Sequence, residues 1–187
     1  MPRASAGIRR SRSSIRVKGD KEMKRVIGVV VVVAVVLLSA PTVFAAADMA
    51  AKLQSVMAQG PDTKFWQVSA DDVQAMIAAK KTDFVVVDVR PNPAEYGEGH
   101  IPGAIQVPVQ DMFKAESLKK LPKNKKVILV CVTGQTQNLP VVGLRALGYD
   151  AWTMSFGYTA WAKGYRGGQL MQSAIQNAAA KNFPVVK

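Results

Sequence analysis

Residues 83–89 read Asp-Phe-Val-Val-Val-Asp-Val, a β-branched run without polar alternation through its centre. A strand with one wet face alternates apolar and polar residues, so a run like this is the mark of a strand covered on both faces, as in a parallel sheet between helices. A second apolar run, Val127-Ile128-Leu129-Val130, has the same character and leads into Cys131. Parallel neighbours need long crossover connections, usually helical, so the chain should alternate strands with helices.

The rest of the chain fits that alternation. Asp48–Gln59 reads as a short helix with Met49, Leu53 and Met57 on one face, stopped by Gly60-Pro61. Phe65–Val68 reads as a strand, and Ser69 caps a helix with Asp71 and Asp72 in its first turn and Val73, Met76 and Ile77 as its buried stripe. Pro91–Gly99 is rich in turn residues, Ile101–Pro108 leads into a short extended piece, and Asp111–Lys120 reads as a helix capped by Asp111. After the second apolar run comes a helical segment, Gln137–Leu147, with Pro140 in its first turn and Gly148 at its end. Trp152–Phe156 is a further strand, and beyond Gly167-Gly168 lies an Ala- and Gln-rich helix, Gln169–Lys181, which could serve as a dimerisation or docking element or as a plain surface helix. The expected organisation is a leader (1–47), a helical arm (48–64), an α/β domain (65–166) and a helical extension (167–187).

The formal net charge of +12 suggests nucleic acid until it is divided along the chain. Residues 1–47 hold nine Lys/Arg and two acids, and residues 48–187 hold sixteen and eleven, which leaves +5 for the expected domain. The leader has the layout of a cleavable secretory signal: Lys24-Arg25, an apolar core from Val26 to Leu38, and small residues from Ser39 to Ala47. Met23, directly before the basic pair, is the expected true start. A core of that length is short for a membrane span, so a periplasmic or secreted protein is expected, with a membrane anchor as the alternative if the leader stays. Cleavage would leave about 140 residues, enough for one core. The lysines at 119, 120, 123, 125 and 126 stand before the strand that ends at Cys131. About 20 Å of strand would separate them from the thiol, more than the Debye length of about 8 Å, so they read as a solvated turn and no nucleic-acid partner is expected.

Cys131 is the sole cysteine, so no internal disulfide can form. At the end of a buried strand, before a helix, it is either a small buried hydrophobe or a thiol among converging N–H groups that favour a thiolate. Asp88 and Arg90 at a strand end suit a structural ion pair, with Glu95 a candidate partner. His100, the sole histidine, could act as a general base. Trp152, Tyr158 and Trp161 read as packing groups, with Trp161 a candidate wall for a pocket mouth.

Four blocks in order carry a resemblance: Val87-Asp88-Val89-Arg90; Glu95-Tyr96 with Gly99-His100-Ile101-Pro102-Gly103-Ala104; Val130-Cys131 with Gly134, Leu144 and Gly148; and Gly157 with Ala160-Trp161. Together they resemble the rhodanese family of single-domain sulfurtransferases, and with the leader the small periplasmic members. The resemblance implies a five-stranded, mostly parallel sheet flanked by helices, with Cys131 as the nucleophile after the fourth strand. It implies Val132, Thr133, Gly134, Gln135 and Thr136 as the substrate cradle, and structural roles for Asp88, Arg90, Glu95 and His100. The implied chemistry moves sulfane sulfur from thiosulfate or a persulfide or polysulfide donor, through a Cys131 persulfide, to cyanide or a thiol. It calls for no metal or cofactor, and its expected partners are small sulfur anions, those acceptors and a redox protein. Where many members carry Arg this chain has Thr136, which shifts the expected donor from thiosulfate toward persulfides and polysulfides. The other reading of such a domain is a non-catalytic module that binds a sulfur species, a metal or a protein. A phosphatase would need a longer loop ending in Arg.

Overall fold

The computed structural model describes residues 25–27, 45–181 and 183–186. The leader expected over 1–47 therefore lies almost wholly outside the described residues, and among those described no helix is long and apolar enough to cross a membrane.

Five strands form one sheet in the order β1-β5-β4-β2-β3: β1 (Gln67–Val68), β2 (Phe84–Asp88), β3 (Ile105–Gln106), β4 (Lys126–Val130) and β5 (Asp150–Met154). Every neighbouring pair is parallel. The two β-branched runs are the central strands, paired from Phe84 against Lys126 through Asp88 against Val130. Their side chains divide between two faces. Val87, Leu129 and Cys131 enter one cluster with Met112, Leu144 and Tyr149, and Val86, Ile128 and Val130 enter the other with Val73, Ile101 and Met154. Burying an aliphatic side chain of this kind contributes about 1.5–3 kcal/mol, so the uninterrupted apolar run follows from having a core on both faces.

Residues 45–57 form helix α1, followed by α2 (Ala70–Ala78), α3 (Pro93–Glu98), α4 (Ala115–Leu118), α5 (Val141–Ala146) and α6 (Arg166–Lys181). Ser69 caps α2 reciprocally: its hydroxyl accepts from the Asp72 N–H, and the Asp72 carboxylate accepts from the Ser69 N–H. Val73 is fully buried beneath that helix. On α1 the packing residues are Leu53 and Val56, while Met49 and Met57 of the expected stripe are exposed.

Several element boundaries differ from expectation for local reasons. The first strand begins at Gln67, because Lys64, Phe65 and Trp66 adopt positive φ. The helix expected over Asp111–Lys120 is reduced to α4, and Asp111 pairs with Lys114 instead of capping it. The helix expected over Gln137–Leu147 splits into a tight turn, Thr136–Asn138, and α5. Pro140 has no N–H to return to the Thr136 carbonyl, so a continuous helix cannot form across it. The last strand runs over Asp150–Met154 instead of Trp152–Phe156. The C-terminal helix starts at Arg166, three residues before the expected Gln169, and takes Gly167 and Gly168 into its first turn.

Candidate functional site

Asp88 faces Val130 across the central strand pair, and the Val89 N–H donates to the Val130 carbonyl at 2.8 Å. The segments leaving β2 and β4 therefore emerge side by side at the C-terminal edge of the sheet, where parallel α/β folds place their binding sites. One segment carries Arg90, the other Cys131.

The Cys131 loop is tied down from three sides. Its backbone N–H donates to the Gln137 side-chain carbonyl at 2.7 Å, and the Gln137 amide donates to the Met154 carbonyl at 2.6 Å. Gln137 is itself buried, so this one amide joins the loop to the end of β5. The Cys131 carbonyl accepts from the Tyr158 N–H at 2.7 Å, and the Val132 carbonyl accepts from the Thr159 N–H and hydroxyl. Gly134, at φ +90°, turns its N–H onto the Cys131 Sγ at 3.2 Å. An N–H aimed at sulfur stabilises negative charge there. The helix start expected to converge on the thiol is absent, since α5 begins only at Val141. One loop N–H, that of Gly134, takes its place.

Cys131 is 1 % exposed, yet it lines a cavity of about 300 Å3 together with Val132, Thr133, Gln135 and Thr136. The rest of the lining is Pro91, Asn92 and Glu95 from the segment after β2, and Arg166 and Leu170 from α6. Sequence reasoning had no signal for Gln137, Arg166 or Leu170. Gln137 read as one polar residue of a helix, and Arg166 as the last residue before a Gly-Gly break.

The four expected support residues separate into three arrangements. Asp88 and Arg90 form a buried ion pair, with Arg90 Nη2 2.6 Å and Nε 3.0 Å from Asp88 Oδ2. The Arg90 backbone N–H also donates to Asp88 Oδ1, and Nη2 donates to the Gly99 carbonyl at 2.6 Å. Burial works against the charge on Arg90, but Asp88 holds its pKa above the ordinary arginine value. Glu95 pairs with Arg166 at 2.7 Å instead of Arg90, and its other oxygen accepts the Tyr165 hydroxyl at 2.5 Å. His100 is exposed, stacks on Tyr96 at 3.8 Å and bonds the Tyr96 carbonyl through Nδ1. It is not among the residues lining the cavity of Cys131. Trp161 lines a different hollow, with Ala70, Asp71 and Gln74, so the expected pocket wall is supplied by Leu170 and Arg166. The lysine turn lies at the opposite end of β4, where Lys126 covers the Trp152 ring and Lys123 the Tyr149 ring.

Burial raises the pKa of the Glu95 carboxyl, but the Tyr165 hydroxyl and Arg166 outweigh it and hold the group below its ordinary value. A carboxyl with a depressed folded pKa stabilises the fold above its unfolded pKa of about 4.3 and loses that contribution as pH falls through the folded value. The wild-type chain should therefore melt above Glu95→Gln at neutral pH, and the gap should close as pH falls below about 4. A gap that persists unchanged to about pH 3 would contradict ionisation of Glu95 as its source.

Fold and site together define a parallel α/β domain that presents a cysteine-bearing loop beyond its fourth strand. Residues 69–164 match the model of the rhodanese-like domain, and the chain belongs to that family. Over 79 residues it is 34% identical to the probable adenylyltransferase/sulfurtransferase MoeZ of Mycobacterium tuberculosis, a stretch covering 42% of this chain and 20% of that protein. The match thus spans about a fifth of the length of the curated relatives. Among solved structures, a rhodanese-like domain protein from Staphylococcus aureus is 27% identical with a TM-score of 0.47, covering 52% of this chain and 93% of its own. A rhodanese-related protein from Thermoplasma volcanium is also 27% identical, with a TM-score of 0.45, covering 53% and 93%.

Proposed function

We propose that this protein is an exported sulfurtransferase that carries sulfane sulfur on Cys131. The observation that carries the reading is that Cys131 lines a cavity, with a loop N–H donated to its sulfur and its backbone held on both sides. In the first step the Cys131 thiolate attacks the outer sulfur of a donor such as thiosulfate. A new S–S bond forms at Cys131, the old S–S bond breaks, and its electron pair leaves with sulfite. In the second, cyanide or a thiolate takes the outer sulfur and the Cys131 thiolate is regenerated. Neither step requires a metal. The Gly134 N–H is placed to stabilise charge on the Cys131 sulfur in both thiolate forms.

Export rests on the leader pattern of a basic pair, an apolar core and small residues at its exit. A periplasmic or extracellular setting would supply a small-molecule donor and a thiol acceptor or redox protein as partners. Incubation with thiosulfate or with polysulfide should add the mass of one sulfur atom, removable by cyanide and missing in Cys131→Ser. An intact mass unchanged under every donor refutes the sulfurtransferase and leaves a binding module. The mass of the protein recovered from its native envelope tests cleavage of the leader, and recovery from the cytoplasmic fraction instead would contradict export.

A further inference from the structure

Thr136 leaves the Cys131 loop without a cation, yet the cavity is not without one. Arg166 and Glu95 line it, and among its described lining residues they are the one cation and the one anion. Building on the sulfurtransferase reading, we infer that Arg166, at the start of α6, is the donor-specificity residue of the Cys131 cavity: its guanidinium binds the oxyanion end of thiosulfate or a thiosulfonate while the outer sulfur meets Cys131.

Three observations support this assignment. The first turn of α6 is fixed against the cysteine loop, because Gly167 is buried and a Cβ there would stand 3.2 Å from the Val132 carbonyl and clash with Thr159 Oγ1. Arg166 therefore has a defined position relative to the loop although it comes from a different element. Its side chain is held but not consumed, since it gives one hydrogen bond, from Nη2 to Glu95 Oε1, out of the five N–H donors of a guanidinium. At 52 % exposure it is open to a ligand arriving from solvent, whereas Arg90 is buried and committed to Asp88 and Gly99. Glu95 partly neutralises Arg166, but its own charge is met by the Tyr165 hydroxyl as well, so the pair can hold Arg166 in place while the remaining donors receive an anion.

The chemistry balances without a further reactant. The Cys131 thiolate, with one negative charge, and thiosulfate, with two, become a Cys131 persulfide anion with one charge and sulfite with two. Charge on the sulfonate oxygens is present in the donor and grows as sulfite departs, so a guanidinium at that end aids binding and departure alike. A persulfide of an uncharged thiol has no such group.

The test compares the rate of sulfur loading on Cys131 in wild type, Arg166→Gln and Arg166→Lys, read by intact mass, with thiosulfate and with the persulfide of 2-mercaptoethanol. Arg166→Gln should lower kcat/KM for thiosulfate by about 10- to 100-fold, through KM and kcat both, and change loading by the persulfide, which has no sulfonate for Arg166 to hold, by less than about threefold. Arg166→Lys, which keeps charge but not the fork, should recover part of the loss. Equal losses with both donors would reduce Arg166 to a structural role, and no loss with thiosulfate would overturn the assignment outright. A second measurement needs no chemistry: calorimetric binding of thiosulfate to Cys131→Ser, abolished in Cys131→Ser/Arg166→Gln. If wild type gains no sulfur but this Arg166-dependent binding is found, the sulfurtransferase reading fails and the anion site stands. If loading proceeds but binding is indifferent to Arg166, the reverse holds.

Discussion

Asp88→Ala will cost the domain about 3–5 kcal/mol, because it strands a buried cation. Asp88 and Arg90 are 2 % and 1 % exposed, and the Asp88 carboxylate receives the backbone N–H, Nε and Nη2 of Arg90. Without the carboxylate, the Arg90 guanidinium keeps the Gly99 carbonyl and the faces of two rings, Tyr158 at 4.4 Å and Tyr165 at 5.8 Å. None of these offsets the loss of a counter-ion at a buried position. The effect should reach the cavity, since the Gly99 carbonyl lies directly after α3, the helix that carries Glu95. Urea denaturation measures the loss, and Asp88→Ala/Arg90→Met should regain part of it by removing the orphaned charge. A loss below about 1 kcal/mol would mean that water reaches Arg90 and that the pair is not the buried strut described.

Gly157→Ala is the second large effect, and it falls on the cysteine loop itself. Gly157 adopts φ +59°, and a Cβ there would lie 2.5 Å from the Cys131 carbonyl oxygen and 2.7 Å from the Gly134 nitrogen. Both contacts are backbone, so no side chain can swing aside. The loop has to move, and with it the Tyr158 N–H bond to Cys131 and the Gly134 N–H on the sulfur. Left-handed strain contributes about 1–3 kcal/mol before any clash. Gly103→Ala separates the two causes, because Gly103 also has positive φ, +77°, but nothing lies within 4 Å of its added Cβ. Gly157→Ala should lose clearly more stability than Gly103→Ala and load Cys131 with sulfur at least about tenfold more slowly. Equal behaviour of the two variants would mean that strain alone, and not contact with the loop, sets the requirement for glycine.

The readable parts of this protein are those whose cause is local. The Val85-Val86-Val87 and Val127–Val130 runs announce buried strands because each residue's own side chain meets a core, whichever neighbour supplies it. Ser69 with Asp72 announces a helix start because both halves of the cap lie within one turn. Pro140 misled the reading of the segment after Cys131. A proline in a first turn is well tolerated, but here it follows another turn, and the missing N–H makes it a boundary between two short pieces. Glu95 was expected near Arg90 and is found on Arg166, because proximity in sequence does not decide which of two arginines a carboxylate meets.

By itself the sequence determined the layered α/β architecture, the place of Cys131 beyond the fourth strand and the family, since apolar periodicity and ordered motif blocks survive without coordinates. The tertiary structure alone decided how charge is arranged around that cysteine. The loop lacks an arginine at Thr136, and a helix from the end of the domain brings Arg166 to the same cavity through the close contact of Gly167 with Val132 and Thr159. Such a meeting depends on the path of the chain between two distant segments, which no local pattern of residues encodes.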